Sequence, residues 1–286
     1  MMIGMGLNLA AMRAGGAFTS SHLLLLTRST AGWAQDLSGN LLAFGVDQRR
    51  LTNAGLTLTG AATRLHGEAP TNGANISGTS SLLPSDGLFN PRRFDSNEAL
   101  VGRWGVGFSV TNTVPVYVRV RAKSGTSGRI RITCRDITAA TESVLRGEFA
   151  SPSVELSNAG AISAFVNTLL PSGDREFTFT WTPNSTSAVG NLGVGPDSTT
   201  SGEYIDIIGM QATTEFSEWI MGGASTFAQA ADAGVLQLAT GTYNITVTFE
   251  NDSTQLFSSV SVTAPGWAVP TNLNRPVLKQ IVAVSA

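Results

Sequence analysis

Glu203 and Asp206 stand out in "DSTTSGEYIDIIGMQATTEFSEWI" (197–220) as two acids in an apolar segment. Such a pair is what glycoside hydrolysis requires, provided the carboxyls face each other at roughly 5–5.5 Å or roughly 6.5–9.5 Å across the scissile bond. A spacing of three works against this on a strand. Side chains alternate along a strand, so an odd interval sends the two carboxyls to opposite faces, about 10 Å apart along the chain. The pair is therefore read as non-catalytic. Asp206, between Ile205 and Ile207, is expected to be buried and hydrogen-bonded, or to ligate a structural calcium ion.

Other reactive residue types are sparse. Cys134 is the single cysteine, which excludes an internal disulfide and a multi-cysteine metal site. It shares parity with Ile130 and Ile132, so an inward position as a small apolar filler is expected. His22 and His66 have no His or Glu at ligand spacing, and no zinc site is expected. "GVG" at 105–107 and 193–195 is an isolated match, without a P-loop or dinucleotide fingerprint. No cofactor is implied. The sequons at Asn75, Asn184, Asn244 and Asn251 read as chance matches in a chain rich in Ser and Thr.

The most informative constellation is basic. "VYVRVRAK" (116–123) and "GRIRITCRD" (128–136) alternate apolar and basic residues with a period of two. With "SGTSG" (124–128) as a hairpin loop, Lys123 pairs with Arg129 and Arg121 with Arg131. Arg119 then opposes Thr133, and Tyr117 opposes Arg135, all on one face. Like charges directly opposite cost about 0.2–1 kcal/mol per pair, which a domain of about 5–15 kcal/mol stability absorbs. Two readings stay open. Acids on neighbouring strands, such as Glu142 or Glu148, neutralise the row; or the face binds an acidic polysaccharide or an acidic neighbouring subunit. Aromatic platforms for sugars are the other candidates. Trp181 shares a core-like face with Phe177 and Phe179, and Trp33 and Trp219 are scattered elsewhere. Trp104 in "GRWGVGF" and Trp267 in "APGWAVP" lie among turn residues and are the better surface candidates, although packing is the preferred role for each.

The elements that position these residues read as β throughout. Hydrophobic residues make up 42% of the 286 residues and charged ones only 13%, so a core can form. Abundant Gly, Ser and Thr with little charge fit turn-rich β-structure rather than helical bundles. A formal net charge of -2 gives no global signal for nucleic acid. The apolar opening "MMIGMGLNLAAMRAGGAF" is too short to span a bilayer. Its cation, Arg13, follows the apolar run instead of preceding it, so a Gly-rich arm docking on a partner subunit is expected rather than a secretory signal. Three parts are expected: residues 1–75 as an attachment arm, 76–222 as a β-sandwich, and 230–286 as a small β-domain, with "PTNGANISGTSS" (70–81) as a linker. "REFTFTWTP" (175–183) alternates strictly. "TFAQAADAG" (226–234) is helix-compatible. "GTYNITVTFENDSTQLFSSVSV" (241–262) reads as a hairpin turning at "NDS", with Tyr243, Ile245, Val247 and Phe249 on one face, and "VLKQIVAV" (277–284) as a closing strand.

Three stretches resemble bacteriophage virion-surface proteins. "TRSTAGWAQDLSGNLLAFGVDQRRLTNAGLTLTGAATRL" (27–65) is similar to an amino-terminal module of tail-fibre proteins: Arg28, Ser29 and Thr30 match its start and Asp36 and Gly39 its turn. Arg50, Gly55 and Leu56 match its next strand, and its end is degraded to Thr63, Arg64 and Leu65. The middle region resembles a jelly-roll module akin to carbohydrate-binding modules, whose closing strand carries a Gly-x-Gln-x-Glu-like signature. Gly209 and Gln211 match it, the Glu is displaced to Glu215, and "FSEWI" follows. The carboxy-terminal stretch looks like a small β-domain that ends some phage structural proteins. The resemblance implies an all-β, non-enzymatic virion component: a surface fibre, spike or decoration subunit on head or tail, with host-glycan adhesion as its expected role. It implies attachment to other virion proteins through the amino-terminal arm, contact with bacterial surface polysaccharide, and a homo-oligomer, with a trimer expected. Neither nucleic acid nor membrane is an expected partner. A capsid cement protein that only braces its neighbours is the competing expectation. A capsular depolymerase comes third, for want of converging acids.

Overall fold

The structure, a computed structural model, describes residues 19–20, 23–59, 61–68, 79–85, 89–96, 104–221, 227–271 and 273–286. The chain divides into two compact units, one of residues 62–228 and one formed jointly by residues 1–61 and 229–286. Among the described residues every regular element is a strand.

The strands of the amino-terminal segment are β1 (Thr19–Ser20), β2 (Leu24–Thr27), β3 (Gly32–Gln35), β4 (Leu41–Phe44), β5 (Arg50–Thr52) and β6 (Gly55–Thr57). The central unit holds β7 (Ala62–Glu68), β8 (Thr79–Leu82), β9 (Arg92–Asp95), β10 (Trp104–Val110), β11 (Val116–Ser124) and β12 (Arg129–Asp136). It continues with β13 (Thr141–Glu148), β14 (Ser153–Ser157), β15 (Gly160–Leu169), β16 (Arg175–Pro183), β17 (Ser187–Pro196) and β18 (Tyr204–Thr213). β19 (Phe227–Gln229), β20 (Ala233–Leu236), β21 (Gly241–Phe249), β22 (Thr254–Val262), β23 (Trp267–Val269) and β24 (Val277–Ser285) complete the chain.

The central unit is a β-sandwich. One sheet runs β15-β16-β11-β18-β7-β19, with β9 on β18 and β8 on β9; the other runs β10-β17-β12-β13-β14. The period-two apolar positions explain why the sheets face each other. Val118 and Val120 of β11, Phe177, Phe179 and Trp181 of β16, and Ile205 and Ile207 of β18 bury against Ile130, Ile132 and Cys134 of β12 and Leu192 and Val194 of β17. The Trp181 indole also donates from Nε1 to the Ala159 carbonyl, so burial leaves its polar atom satisfied.

The expected 117–135 hairpin does not form. β11 pairs with β16 and β18, whereas β12 pairs with β13 and β17, and "SGTSG" carries the chain from one sheet to the other. Alternation fixes which residues face the core, but two strands facing each other across a core satisfy it as well as two strands side by side. Gly125 permits the crossing: a Cβ there would lie 2.3 Å from the Tyr204 carbonyl oxygen and 2.4 Å from its ring.

The other unit draws on both ends of the chain. β24 pairs with β21, with β6 and, in parallel, with β1; β2 pairs with β20. Among the described amino-terminal strands, β1, β5 and β6 lie in the sheet of β24 and β2 pairs with β20, while β3 and β4 pair with each other; residues 1–61 cluster with residues 229–286 in one compact unit. The arm itself, His22, Asn75 and most of the expected linker lie outside the described residues. The 241–262 hairpin and the closing strand are where periodicity puts them, with Ile245, Val247 and Phe249 buried together. One expectation fails. The described part of the helix-compatible stretch forms β19 and β20, because pairing of β20 between β2 and β23 overrides a weak local propensity. Trp267 takes the packing role preferred for it: it is buried, edge-on to Phe257 at 5.3 Å.

Candidate functional site

The sandwich splits the basic row between its two outer faces. On the first sheet, Tyr117, Arg119, Arg121 and Lys123 alternate with the inward Val and Ala residues of β11. Lys123 is exposed and Tyr117 half-buried, but Arg119 and Arg121 are buried. What covers them is the segment after β18, "FSEWI" (216–220), together with Phe89. The Trp219 ring lies on this face, edge-on to Phe89 at 5.1 Å. Gly209 leaves room for this pair: a Cβ there would lie 2.7 Å from the Phe89 ring.

The Gln211 amide holds the covering segment down. Its Oε1 accepts from the Ile220 N–H at 2.8 Å, and its Nε2 donates to the Glu218 carbonyl at 3.0 Å. Arg64 of β7 adds a bond from its guanidinium to the Ile220 carbonyl. Beneath lies a buried ion cluster. Arg119 meets Glu218 at 3.1 Å and Glu176 at 3.3 Å, and Trp219 Nε1 donates to Glu176 at 2.9 Å. Burial alone pulls the Arg119 pKa down, but the Coulombic pull of Glu176 and Glu218 and the hydrogen bond to Glu218 outweigh it, and the net shift is upward. Arg121 binds Asp174 through both Nε and Nη2, at 3.0 and 2.7 Å. The Arg119–Arg121 part of the expected binding face is thus a covered, internally compensated layer.

On the second sheet, Arg129, Arg131 and Arg135 project outward from β12; Arg129 and Arg135 stand directly opposite Glu148 and Glu142 of β13, and Arg131 opposite Arg146. Arg131 meets Glu142 at 3.1 Å, diagonally across the ladder, and Arg135 approaches the same carboxylate at 3.8 Å. This diagonal passes over Thr133 and Val144, whose register lies between the two charged rows, and both are buried although they face away from the core. Arg129 binds Glu148 at 3.0 Å and Asp197 at 2.8 Å, and those hydrogen bonds raise its pKa. Arg146, an arginine the row did not include, reaches Glu155 and Asp197 at 3.1 and 3.3 Å. Four arginines face four acids here, so the face presents paired rather than unpaired charge. Of the two open readings, neutralisation is the one these geometries realise, with Glu142 and Glu148 among the partners.

The remaining candidates also find structural places. Glu203 sits in the turn before β18, while Asp206 lies on β18 and holds Arg93 with two bonds of 2.8 and 3.1 Å. Those bonds raise the Arg93 pKa, and its guanidinium stacks 3.7 Å over the Tyr204 ring. The Asp206 carboxylate that calcium would need is engaged by an arginine, and among the described residues no group of three or more His, Cys, Asp or Glu gathers to hold a metal. Trp104 lies in β10 opposite Val194. Cys134 is fully buried, and burial pushes its thiol pKa up, away from the reactive thiolate. Among the described residues no helix is long and apolar enough to cross a membrane.

No protein-family model and no curated protein sequence matches the chain. The geometry around the motif-like residues therefore carries the interpretation. Arg28 and Arg50, which resemble module positions, are buried together around Asp232, some 200 residues away in sequence. Arg28 meets Asp232 Oδ1 at 3.2 Å and Arg50 binds Oδ2, which also accepts from the Thr59 N–H at 2.8 Å. Arg28 further donates to the Gly45 carbonyl and Arg50 to the Trp33 carbonyl. These arginines are clamps. Asp232 carried no sequence signal as their partner, since it sits in the Ala-rich stretch expected to be helical.

Proposed function

We propose that the chain is a non-enzymatic surface subunit of a bacteriophage particle, a fibre, spike or decoration protein whose sandwich is a binding and bracing module. The observation that carries this reading is strand order. Taking β7, β10, β11, β12, β13, β16, β17 and β18 as eight successive strands, one sheet runs sixth-third-eighth-first and the other second-seventh-fourth-fifth. With β8, β9, β14, β15 and β19 set aside, that order matches the double Greek key of a jelly roll, which supports the resemblance to carbohydrate-binding modules of virion proteins. Fold alone does not assign function, so the site must carry the rest. An acidic polysaccharide needs unpaired cations, and Arg119, Arg121, Arg129, Arg131 and Arg135 each already have a carboxylate. This favours the bracing role, with adhesion confined to glycans that tolerate a neutralised face around Arg129, Arg131 and Arg135.

Purified protein on a glycan array separates the roles. Binding that is lost on Arg131→Ser, with the fold retained, would establish adhesion at this face. Absence of binding to neutral and acidic glycans alike leaves the bracing role, which predicts the subunit at contacts between other virion proteins in a map of the intact particle. Absence from the particle altogether would refute both. Arg131 and Glu142 are mostly covered, at 17% and 19% side-chain exposure, and Arg135 stays near Glu142, so Arg131→Ser should cost about 1–3 kcal/mol in chemical denaturation.

A further inference from the structure

β22 is the outermost strand of the sheet β22-β21-β24-β6-β5, and among the described residues no strand pairs with its outer edge. Such an edge presents a row of backbone donors and acceptors, which proteins normally guard with Lys, Pro, inward charge or a bulge. "TQLFSSVSV" contains no charge and no proline, although the chain carries 18 Lys and Arg and 20 Asp and Glu. Its one guard is a bulge. Ser259 takes φ 52° and its N–H is drawn to Asn244 Oδ1. The stretch Thr254–Phe257 that precedes the bulge keeps a regular register with β21.

The outward face beside this edge is also uncharged. Leu256, Thr246 and Val282 form one cross-strand row, and Asn244 and Val284 form the next on β21 and β24. Leu256 is 61% exposed and Val284 60%. Lys279 of β24 is engaged by Asp252 at the hairpin end, and Arg275 by Glu250. A strand edge of this kind accepts another strand, and an uncharged, aliphatic-centred one is complementary to itself.

We propose that β22 pairs antiparallel with β22 of a second copy of this chain, about a two-fold axis through Leu256. That register sets Leu256 opposite its symmetry mate and Gln255 opposite Phe257, and it joins two six-stranded sheets into one. Nothing charged opposes its like across the axis. The contact is isologous, so it differs in kind from the head-to-tail contact of a simple trimer, and it stands independently of the proposed function.

Light scattering on the full chain tests it. The expected result is a species of twice the 29.8 kDa chain mass, or an even-numbered assembly, which Leu256→Lys halves by setting two lysines face to face. Leu256 is exposed in the single chain, so this substitution leaves the monomer fold intact by circular dichroism. Directly opposed Cβ atoms in an antiparallel pair stand about 4.5–5.5 Å apart, beyond the usual disulfide span of about 3.5–4.5 Å, so Leu256→Cys should give a covalent dimer with a short bifunctional thiol crosslinker. Leu82→Cys, at an equally exposed leucine of the other unit, should not, and native Cys134 is buried. A monomer at the highest soluble concentration, an assembly unchanged by Leu256→Lys, or no crosslink through Leu256→Cys would each overturn the proposal.

Discussion

Asp232→Ala should destabilise the unit built from the two chain ends by about 3–5 kcal/mol, the usual cost of removing one partner from a buried ion cluster. The size follows from what is left behind. Arg28 and Arg50 are both nearly inaccessible to solvent, and Asp232 is the carboxylate that both touch. Without it two guanidiniums remain in a low-dielectric setting, and the Thr59 N–H loses its acceptor. Urea denaturation followed by the fluorescence of Trp33 and Trp267 reads the effect. A second measurement apportions it. If the penalty comes from stranded charge, Arg28→Met should cost less in the Asp232→Ala background than in the native chain, giving a coupling energy of about 0.5–3 kcal/mol. A loss below about 1 kcal/mol for Asp232→Ala would mean that the carbonyls of Gly45 and Trp33, which these arginines also reach, suffice to hold them.

The part of this fold that was legible in the sequence is the part that depends on alternation alone. β16 and the Ile245–Phe249 part of β21 carry a strict inward apolar set, and the inward places of Cys134, Trp181 and Phe249 follow from parity. Which strand lies beside which was not legible. β11 and β12 have matched patterns and a loop of suitable length, yet they belong to opposite sheets. The arginine row was visible as a row, but its partners come from β13, β16 and the turns after β15 and β17, and from residues beyond β18, none of which local spacing connects to it. Arg28 and Arg50 were visible only through resemblance. Their burial depends on Asp232, an acid in a stretch whose alanines suggested helix. Trp267 shows the same limit from the other side: packing was its preferred role, but the hairpin residue that covers it, Phe257, has no local spacing to it.

Arg119→Met carries the second large expected effect, about 3–5 kcal/mol at neutral pH. Glu176 and Glu218 approach the same guanidinium from β16 and from the covering segment. With the cation gone, two buried carboxylates would face each other with only the Trp219 indole as a shared-site donor to Glu176. The covering segment is the movable partner, because Glu218 belongs to it, so loss of the arginine should loosen residues 216–220 and expose Trp219. A red shift of tryptophan emission that precedes global unfolding is the expected signature. Adding Glu176→Gln and Glu218→Gln should recover part of the lost stability at neutral pH, because neutral amides of the same shape relieve the stranded charge while one oxygen can still accept from Trp219. If the triple variant is no more stable than Arg119→Met alone, the arginine acts through its packing against Trp219 and Phe216 rather than through its charge.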